Sequence, residues 1–217
     1  MFLGHFALAF GARRALPAVS LGVLFTAVQF ADLLWPVLVL AGVERLAIEP
    51  GHTAVNPLHF VHYPWSHSLV ALLAWGAAFG ALYVAWRRGG ARTMAILAAL
   101  VVSHWILDVI SHTPDMPLAP GGGPLLGLGL WNSVAATVAV ELGLFAACVA
   151  YYVRTTRARD RAGSWGFWSL VAFFVGIYLA SLAGPPPPSP EAVAYSALAM
   201  WLFVAWGHWV DAHRVLR

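Results

Sequence analysis

The stretch TMAILAALVVSHWILDVISH, residues 93–112, decides the fold of this chain. It is mainly apolar, and its length is the roughly 20 residues that an α-helix needs to cross a membrane. The chain around it is 61% hydrophobic and only 10% charged, whereas a soluble domain carries about 25% charged residues. The stretch therefore predicts a membrane-spanning helix in an integral membrane protein.

Similar apolar stretches recur along the whole chain. They predict six spans, at about residues 16–42, 68–86, 93–112, 131–153, 165–183 and 191–210. Residues 1–12 are apolar but too short to cross a membrane, so they predict an N-terminal half-helix. No soluble domain is evident. We therefore expect residues 1–217 to form one domain with the fold of an all-α integral membrane protein.

The arginines predict the orientation of these spans. All twelve basic residues are arginines. They cluster before the first span, in every second connection and after the last span, while the other connections contain only Arg45. By the positive-inside rule, this pattern predicts six spans with both termini cytoplasmic and residues 43–67, 111–130 and 184–190 outside. Because the clusters are short, we interpret them as orientation signals and expect no nucleic-acid partner.

Titratable residues share one layer of the predicted bundle. His104, Asp108 and His112 follow one another at intervals of four residues, so they lie along one helix face. At 1.5 Å per residue from the nearest inner arginine, they lie roughly 18, 24 and 30 Å up. Three other spans contribute Asp32, His67 and Glu141 to the same layer. Ionisable groups inside a membrane are costly and usually face a bundle interior or a wet cavity, so this layer predicts a polar site in the outer half.

A proline lies close to one of these residues. Pro36 follows Asp32 by four residues and lacks an N–H group, so the carbonyl of Asp32 loses its helical partner. This predicts a kink in the first span beside a buried carboxylate.

The residue types of the layer suit a divalent metal ion. Histidine nitrogens and carboxylate oxygens bind zinc, which is our first choice, and also iron or manganese. His104 and Asp108, one turn apart, can bind one ion. Asp32 and His67 can complete the shell, and His112 is a further candidate ligand.

Catalytic roles are open for several residues near this ion. Asp108 or Glu141 can act as the general base, and Asp108 can equally orient a ligand histidine. Ser66 and Ser68 flank His67 and can hydrogen-bond to a substrate or to the histidine. Asp108, Glu141 and Ser68 are therefore the candidate catalytic residues.

The chain resembles a bacterial family of membrane-bound metal-dependent hydrolases, the YdjM-like proteins, over about residues 1–115. The matching residues are His5 in GHFALAF, Asp32 in QFADLLWP, His67 and Ser68 in YPWSHSLV, and His104 and Asp108 in SHWILDVIS. The resemblance implies that His5 is also a metal ligand, and that the protein lies in the bacterial inner membrane. One departure is that the family has a Pro-Asp-x-Asp pattern, whereas this chain has Asp32 with Pro36 after it.

The expected function is a metal-dependent hydrolase that acts on a membrane lipid or another amphiphile, because the predicted site lies in the outer-leaflet half. Three alternatives stay open: a carrier that conducts protons or metal ions, a non-enzymatic protein whose polar layer joins the helices, and a membrane phosphatase with a histidine nucleophile. Lysine is absent and arginine is rare in the outer half, which counts against the phosphatase. The sequence leaves the substrate and the oligomeric state open.

Overall fold

The computed structural model describes residues 1–217, and helices dominate it. The helices are α1 (Leu3–Ala12), α2 (Leu21–Val28), α3 (Phe30–Leu40), α4 (Pro64–His67), α5 (Leu69–Arg87), α6 (Ala91–Ser111), α7 (Val134–Thr155), α8 (Arg161–Ala183), α9 (Pro190–Leu198) and α10 (Met200–Ala212). A short 3₁₀ helix, Leu130–Asn132, precedes α7.

Four of these helices, and one segment that combines two more, are long and apolar enough to cross a membrane. Five segments qualify by length and composition, namely α5, α6, α7, α8 and the continuous segment Pro190–Ala212 that contains α9 and α10. The bent pair of α2 and α3 makes a sixth if it is counted as one span. Large apolar side chains such as Leu82 and Trp86 are more than 70% exposed on the outward faces. An apolar exterior of this kind suits lipid rather than water, so the chain has the architecture of a multi-pass membrane protein.

The bend in the first span lies seven residues earlier than the sequence predicted. Pro36 is inside α3, and the bend of 58° falls at Gln29, between α2 and α3. The backbone of Gln29 departs from helical geometry, with φ −104° and ψ 13°. Helix α3 continues through Pro36, and the large bend of this span lies at Gln29, where the chain turns at the end of α2.

The predicted half-helix exists and lies at the centre of the bundle. Helix α1 packs against α2, α6, α7 and α8. Its side chains Leu3, Phe6 and Phe10 are fully buried, and Phe6 and Phe10 both contact Phe25 edge to face. Burial of these rings fixes the position of α1 and places His5, on the same helix, in the middle of the protein.

The arginine-rich segments meet at one end of the bundle, which we call the arginine end. Arg13, which follows α1, donates to Asp211 near the end of α10 at 2.7 Å. Strand β5 (Thr156–Ala158) pairs antiparallel with β6 (Arg214–Leu216). The α1–α2 and α5–α6 connections line one common pocket. The sequence treated these connections as loops, and the structure adds this short sheet to them.

The remaining connections meet at the opposite end, which we call the hairpin end. Strands β1 (Arg45–Ile48) and β2 (Leu58–His62) form an antiparallel hairpin. Strands β3 (Met116–Pro117) and β4 (Leu125–Leu126) form a second hairpin in the α6–α7 connection. The Tyr63 hydroxyl donates to Asp115 at 2.9 Å and so joins the two connections. The alternation of connections between two ends agrees with the pattern of arginines in the sequence.

Candidate metal centre

Four helices bring five titratable side chains together in the bundle. The residues are His5 on α1, Asp32 on α3, His67 at the end of α4, and His104 and Asp108 on α6. They form two overlapping groups whose ligand atoms all lie within 4.8 Å of one another: His5, His104 and Asp108, and Asp32, His67 and His104. The side chain of Asp32 is 27% exposed and the other four are at most 3% exposed. The cluster is therefore closed except on the side of Asp32.

The hydrogen bonds of His104 fix which of its nitrogens faces the cluster. Its Nδ1 lies 2.8 Å from the carbonyl oxygen of Val28, the last residue of α2. A carbonyl only accepts, so Nδ1 carries the proton, and Nε2 of the neutral ring carries a lone pair. Nε2 lies 3.0 Å from Asp108 Oδ2 and 3.7 Å from Asp32 Oδ1, yet it has no partner with hydrogen-bond geometry. A lone pair that faces two carboxylates is repulsive, so either a proton on Nε2 or a metal cation between the groups removes the repulsion.

His67 is held in the same tautomer by a second chain of hydrogen bonds. The Ser66 hydroxyl donates to Glu44 Oε2 at 2.6 Å, which uses its only proton. Ser66 Oγ must therefore accept from His67 Nδ1, which lies 2.6 Å away. This leaves a lone pair on His67 Nε2, at 3.3 Å from Asp32 Oδ1. Metal-binding histidines usually donate their other ring N–H to a carbonyl, a carboxylate or a similar acceptor, as both of these histidines do.

Four of the six edges of a tetrahedral site, those that join an imidazole to a carboxylate, have lengths near the ones that a metal ion requires. The imidazole-to-carboxylate distances between His67 or His104 Nε2 and Asp32 Oδ1 or Asp108 Oδ2 are 3.0, 3.3, 3.7 and 3.9 Å. A tetrahedron with metal–ligand bonds of about 2.0–2.1 Å has edges of roughly 3.3 Å. Two imidazole nitrogens and two carboxylate oxygens are also a donor set that zinc accepts. The residues present therefore fit a divalent metal ion.

His5 approaches the cluster from the opposite side of Asp108. Its ring stacks on the ring of His104, with centroids 3.7 Å apart and planes within 5°. His5 Nε2 lies 3.0 Å from Asp108 Oδ1, and the Met1 nitrogen lies 2.5 Å from the same oxygen. Asp108 thus uses Oδ1 toward α1 and Oδ2 toward His104. His5 is in position either to orient Asp108 or to bind an ion.

Two other predicted site residues, His112 and Ser68, make contacts outside this cluster. His112 Nδ1 lies 2.9 Å from Asp115 Oδ1, and its ring packs on Trp131. Ser68 Oγ accepts from the backbone N–H of Ala71, so Ser68 caps α5. The structure does not bring these two side chains into either group of candidate ligands.

Glu141 makes structural contacts with the start of α1, and its predicted catalytic role stays a prediction. Its Oε2 accepts the backbone N–H groups of Phe2 at 2.9 Å and Gly4 at 3.2 Å. A carboxylate near the first turn of a helix satisfies N–H groups that have no helical partner. Glu141 therefore helps to hold α1, and with it His5, in place.

Sequence reasoning missed the groups that support the ligands. Glu44 is fully buried and also accepts the backbone N–H groups of Trp65 and Ser66. Glu44 and His67 are far apart in the sequence and share no helical spacing, so only the fold reveals that they are connected through Ser66. The Val28 carbonyl carries no sequence signal at all. The suggestion that Ser66 hydrogen-bonds to His67 is confirmed by their 2.6 Å contact.

Fold and site together define a helical membrane protein with a buried cluster of histidines and aspartates. Comparisons with protein-family models, curated proteins and solved structures found no match for the chain. The resemblance to membrane-bound metal-dependent hydrolases therefore stays a prediction, and function has to be argued from the site.

Proposed function

We propose that the chain is an intramembrane metal-dependent hydrolase of the inner membrane of a bacterium. The observation that carries this proposal is the convergence of two imidazole Nε2 atoms, of His67 and His104, with the carboxylates of Asp32 and Asp108. In a dry interior, four such groups favour a cation among them. The resemblance of the same residues to the hydrolase family points in the same direction.

The chain's own residues would divide the work as follows. His67, His104, Asp32 and Asp108 would hold the ion, and Ser66, Glu44 and the Val28 carbonyl keep the two imidazoles in the tautomer that binds it. A bound divalent ion such as zinc would supply a lowered water pKa and Lewis acidity. Asp32 is the most accessible of the four side chains, so it would meet water and substrate first and could accept a proton.

The proposed substrate is a membrane lipid or another amphiphile. The cluster is surrounded by apolar helices and opens only at Asp32, so a small soluble substrate would have to leave water to reach it. A molecule already in the bilayer can present its polar bond at this depth without that penalty.

The proposed topology counts α2 and α3 as one broken span and gives six spans in all. The arginine end would face the cytoplasm, and the hairpin end would face outward. His67 lies between β2 at the hairpin end and the start of α5, so the cluster would lie in the outer half of the membrane.

A metal-binding protein without hydrolytic activity is the second candidate. The observation that favours it is the closure of the cluster, because three of the four ligand side chains are at most 3% exposed. A metal ion that stabilises the fold, or that is passed on to another protein, needs no opening through which a substrate could enter. The two candidates share the ion and differ in chemistry, so one experiment with two readouts separates them.

The experiment measures metal content and hydrolysis on tag-free protein purified in detergent. Elemental mass spectrometry would compare the wild type with His104→Ala, His67→Ala and the matched control His62→Ala, a histidine exposed on β2. Proteins would then be placed in phosphatidylethanolamine–phosphatidylglycerol vesicles, and lipid products would be followed by mass spectrometry before chelation, after it, and after zinc is restored.

We expect His104→Ala and His67→Ala to lose one equivalent of metal relative to the wild type and His62→Ala. Product should form with the wild type, stop on chelation and return with zinc. Equal metal content in all four proteins would refute the metal centre. Metal that depends on His104, with no lipid product formed, would refute the proposed hydrolysis of membrane lipid and favour the second candidate.

A further inference from the structure

The turn between β1 and β2 brings two histidines onto one carboxylate at the hairpin end. Glu49 follows β1, His52 lies in the turn, and His59 lies within β2. His59 Nδ1 is 2.8 Å from Glu49 Oε1, and His52 Nδ1 is 3.5 Å from Glu49 Oε2. The two imidazole rings stack with centroids 4.7 Å apart and planes within 17°. Three ligand atoms from three positions thus lie within 4.8 Å of one another.

The turn itself holds these three side chains in place. The backbone N–H of Glu49 donates to the Pro57 carbonyl at 2.7 Å. Thr53 Oγ1 accepts the Asn56 N–H at 2.8 Å and donates to the Asn56 carbonyl at 2.9 Å. A turn closed by its own hydrogen bonds loses little additional freedom when a ligand binds, which favours affinity.

The charges in the turn also favour a cation. Glu49 Oε1 lies 2.8 Å from His59 Nδ1, so a carboxylate oxygen and an imidazole nitrogen already face each other there. His52 Nε2 is buried and has no hydrogen-bond partner. The carboxylate therefore faces the Nδ1 atoms of two imidazoles, and a metal ion bound among them would take the place of a proton.

We propose that Glu49, His52 and His59 form a second metal site, which binds a divalent late transition metal ion such as zinc, copper or nickel. Two imidazole nitrogens and one carboxylate oxygen are the donors that these ions prefer over calcium or magnesium. The ion would fasten the turn to β2. The site is distinct from the buried centre in every ligand, so it stands or falls independently of the proposed hydrolase.

The position of the site leaves room for a further ligand. His52 and His59 line a pocket of about 470 Å³ between the two hairpins, together with residues such as Tyr63 and Asp115. Three protein ligands leave at least one coordination position of such an ion open. This position would be filled by water from the pocket.

Zinc titration of the tag-free full-length protein tests the site. Isothermal titration calorimetry would compare the wild type with His52→Ala and His59→Ala, and with His62→Ala as a neighbouring histidine outside the group. Hydrogen exchange of residues 49–59 would be measured with and without zinc. Unchanged thermal midpoints would show that the substitutions at the half-buried His52 and His59 leave the fold intact.

We expect His52→Ala and His59→Ala to lose one zinc-binding event that the wild type and His62→Ala retain. Zinc should slow hydrogen exchange in residues 49–59 of the wild type and His62→Ala, and leave His59→Ala unaffected. Identical titrations for the wild type and His59→Ala would overturn the proposal, and so would a turn whose exchange is insensitive to zinc. His104→Ala should keep this binding event, because its side chain belongs to the other centre.

Discussion

At the scale of single residues, the decisive feature is the proton on Nδ1 of two histidines. His104 donates it to the Val28 carbonyl, and His67 donates it to Ser66, whose own proton goes to Glu44. Both acceptors lie outside the cluster, so both Nε2 atoms face inward toward Asp32 and Asp108, and in the neutral rings they carry the lone pairs that a metal ion needs. The metal-binding hypothesis therefore rests on which atoms donate and accept the hydrogen bonds of His67 and His104, and on more than the residue types.

The chain of hydrogen bonds from His67 through Ser66 to Glu44, which we call the relay, predicts different effects of substitution at Ser66 and Ser68. Ser66→Ala removes the acceptor of His67 Nδ1, and loss of such a supporting hydrogen bond lowers metal affinity about 10–100-fold. Ser68→Ala removes only the cap of α5, which costs about 1 kcal/mol of stability. Competition with a chromophoric chelator measures the affinity, and a thermal unfolding midpoint measures the stability. Equal metal affinity in both variants would contradict the relay.

His112 provides a second comparison at this scale. Its Nδ1 is occupied by Asp115 and its ring packs on Trp131, so it lies outside both groups of candidate ligands. We expect His112→Ala to keep the metal content of the wild type, whereas His104→Ala loses one equivalent. Elemental mass spectrometry decides this. A loss of metal in His112→Ala equal to that in His104→Ala would restore His112 as a ligand.

The sequence could predict the ligands more fully than their supports. The spacing of His104 and Asp108 indicates a common helix face, and depth from the arginines relates them to Asp32 and His67. His5 entered only through the family resemblance. The roles of Glu44 and of the Val28 carbonyl could not be predicted, because a hydrogen bond between distant segments produces no regular spacing of residues in the sequence.

At the scale of the helices, a bend and a close contact position the site. The bend at Gln29 ends α2 at Val28, whose carbonyl meets His104 on α6. Helices α5 and α6 approach closely through glycines: a Cβ built on Gly76 would lie 2.8 Å from the Ala98 carbonyl oxygen. Small residues four apart are a common means of close packing in membrane helices, and Gly80 continues this stripe.

We expect opposite effects from a glycine-to-alanine change inside the α5–α6 contact and from the same change at an open position on α7. Gly76→Ala pushes a methyl group into backbone atoms of α6 and should destabilise the protein by about 1–3 kcal/mol. Gly143→Ala, on the outward face of α7, meets no atom within 4 Å and should stabilise its helix by up to about 1 kcal/mol. Thermal unfolding in detergent, followed by tryptophan fluorescence, measures both. A midpoint for Gly76→Ala at or above that of the wild type would show that the helices pack differently.

At the scale of the whole molecule, the fold separates an arginine end from a hairpin end. Hydropathy predicted the long apolar helices well, because bilayer thickness acts on the whole length of a span, while the orientation from the arginines stays a prediction. Short hairpins and the bend at Gln29 were not predicted, since they depend on contacts between connections such as that of Tyr63 with Asp115. The central position of α1 depends likewise on aromatic packing that no single segment encodes.

The proposed orientation predicts a pattern of cysteine accessibility. In a Cys148→Ser background, Gly121→Cys would place a thiol in the α6–α7 connection at the hairpin end, and Gly90→Cys would place one at the arginine end. Both positions have no neighbouring atom within 4 Å of a built Cβ. A membrane-impermeant maleimide should label Gly121→Cys in intact cells and Gly90→Cys only after permeabilisation. The reverse pattern would invert the topology.

The most direct test of the central claim is X-ray absorption at the zinc edge on zinc-loaded, tag-free protein that carries His52→Ala and His59→Ala. With the hairpin site removed, only the buried centre remains. We predict about one zinc with nitrogen and oxygen ligands at about 2.0–2.1 Å, imidazole scattering and no sulfur, all lost on addition of His104→Ala. A protein that binds no zinc in this background, or a spectrum that His104→Ala leaves unchanged, would contradict the account.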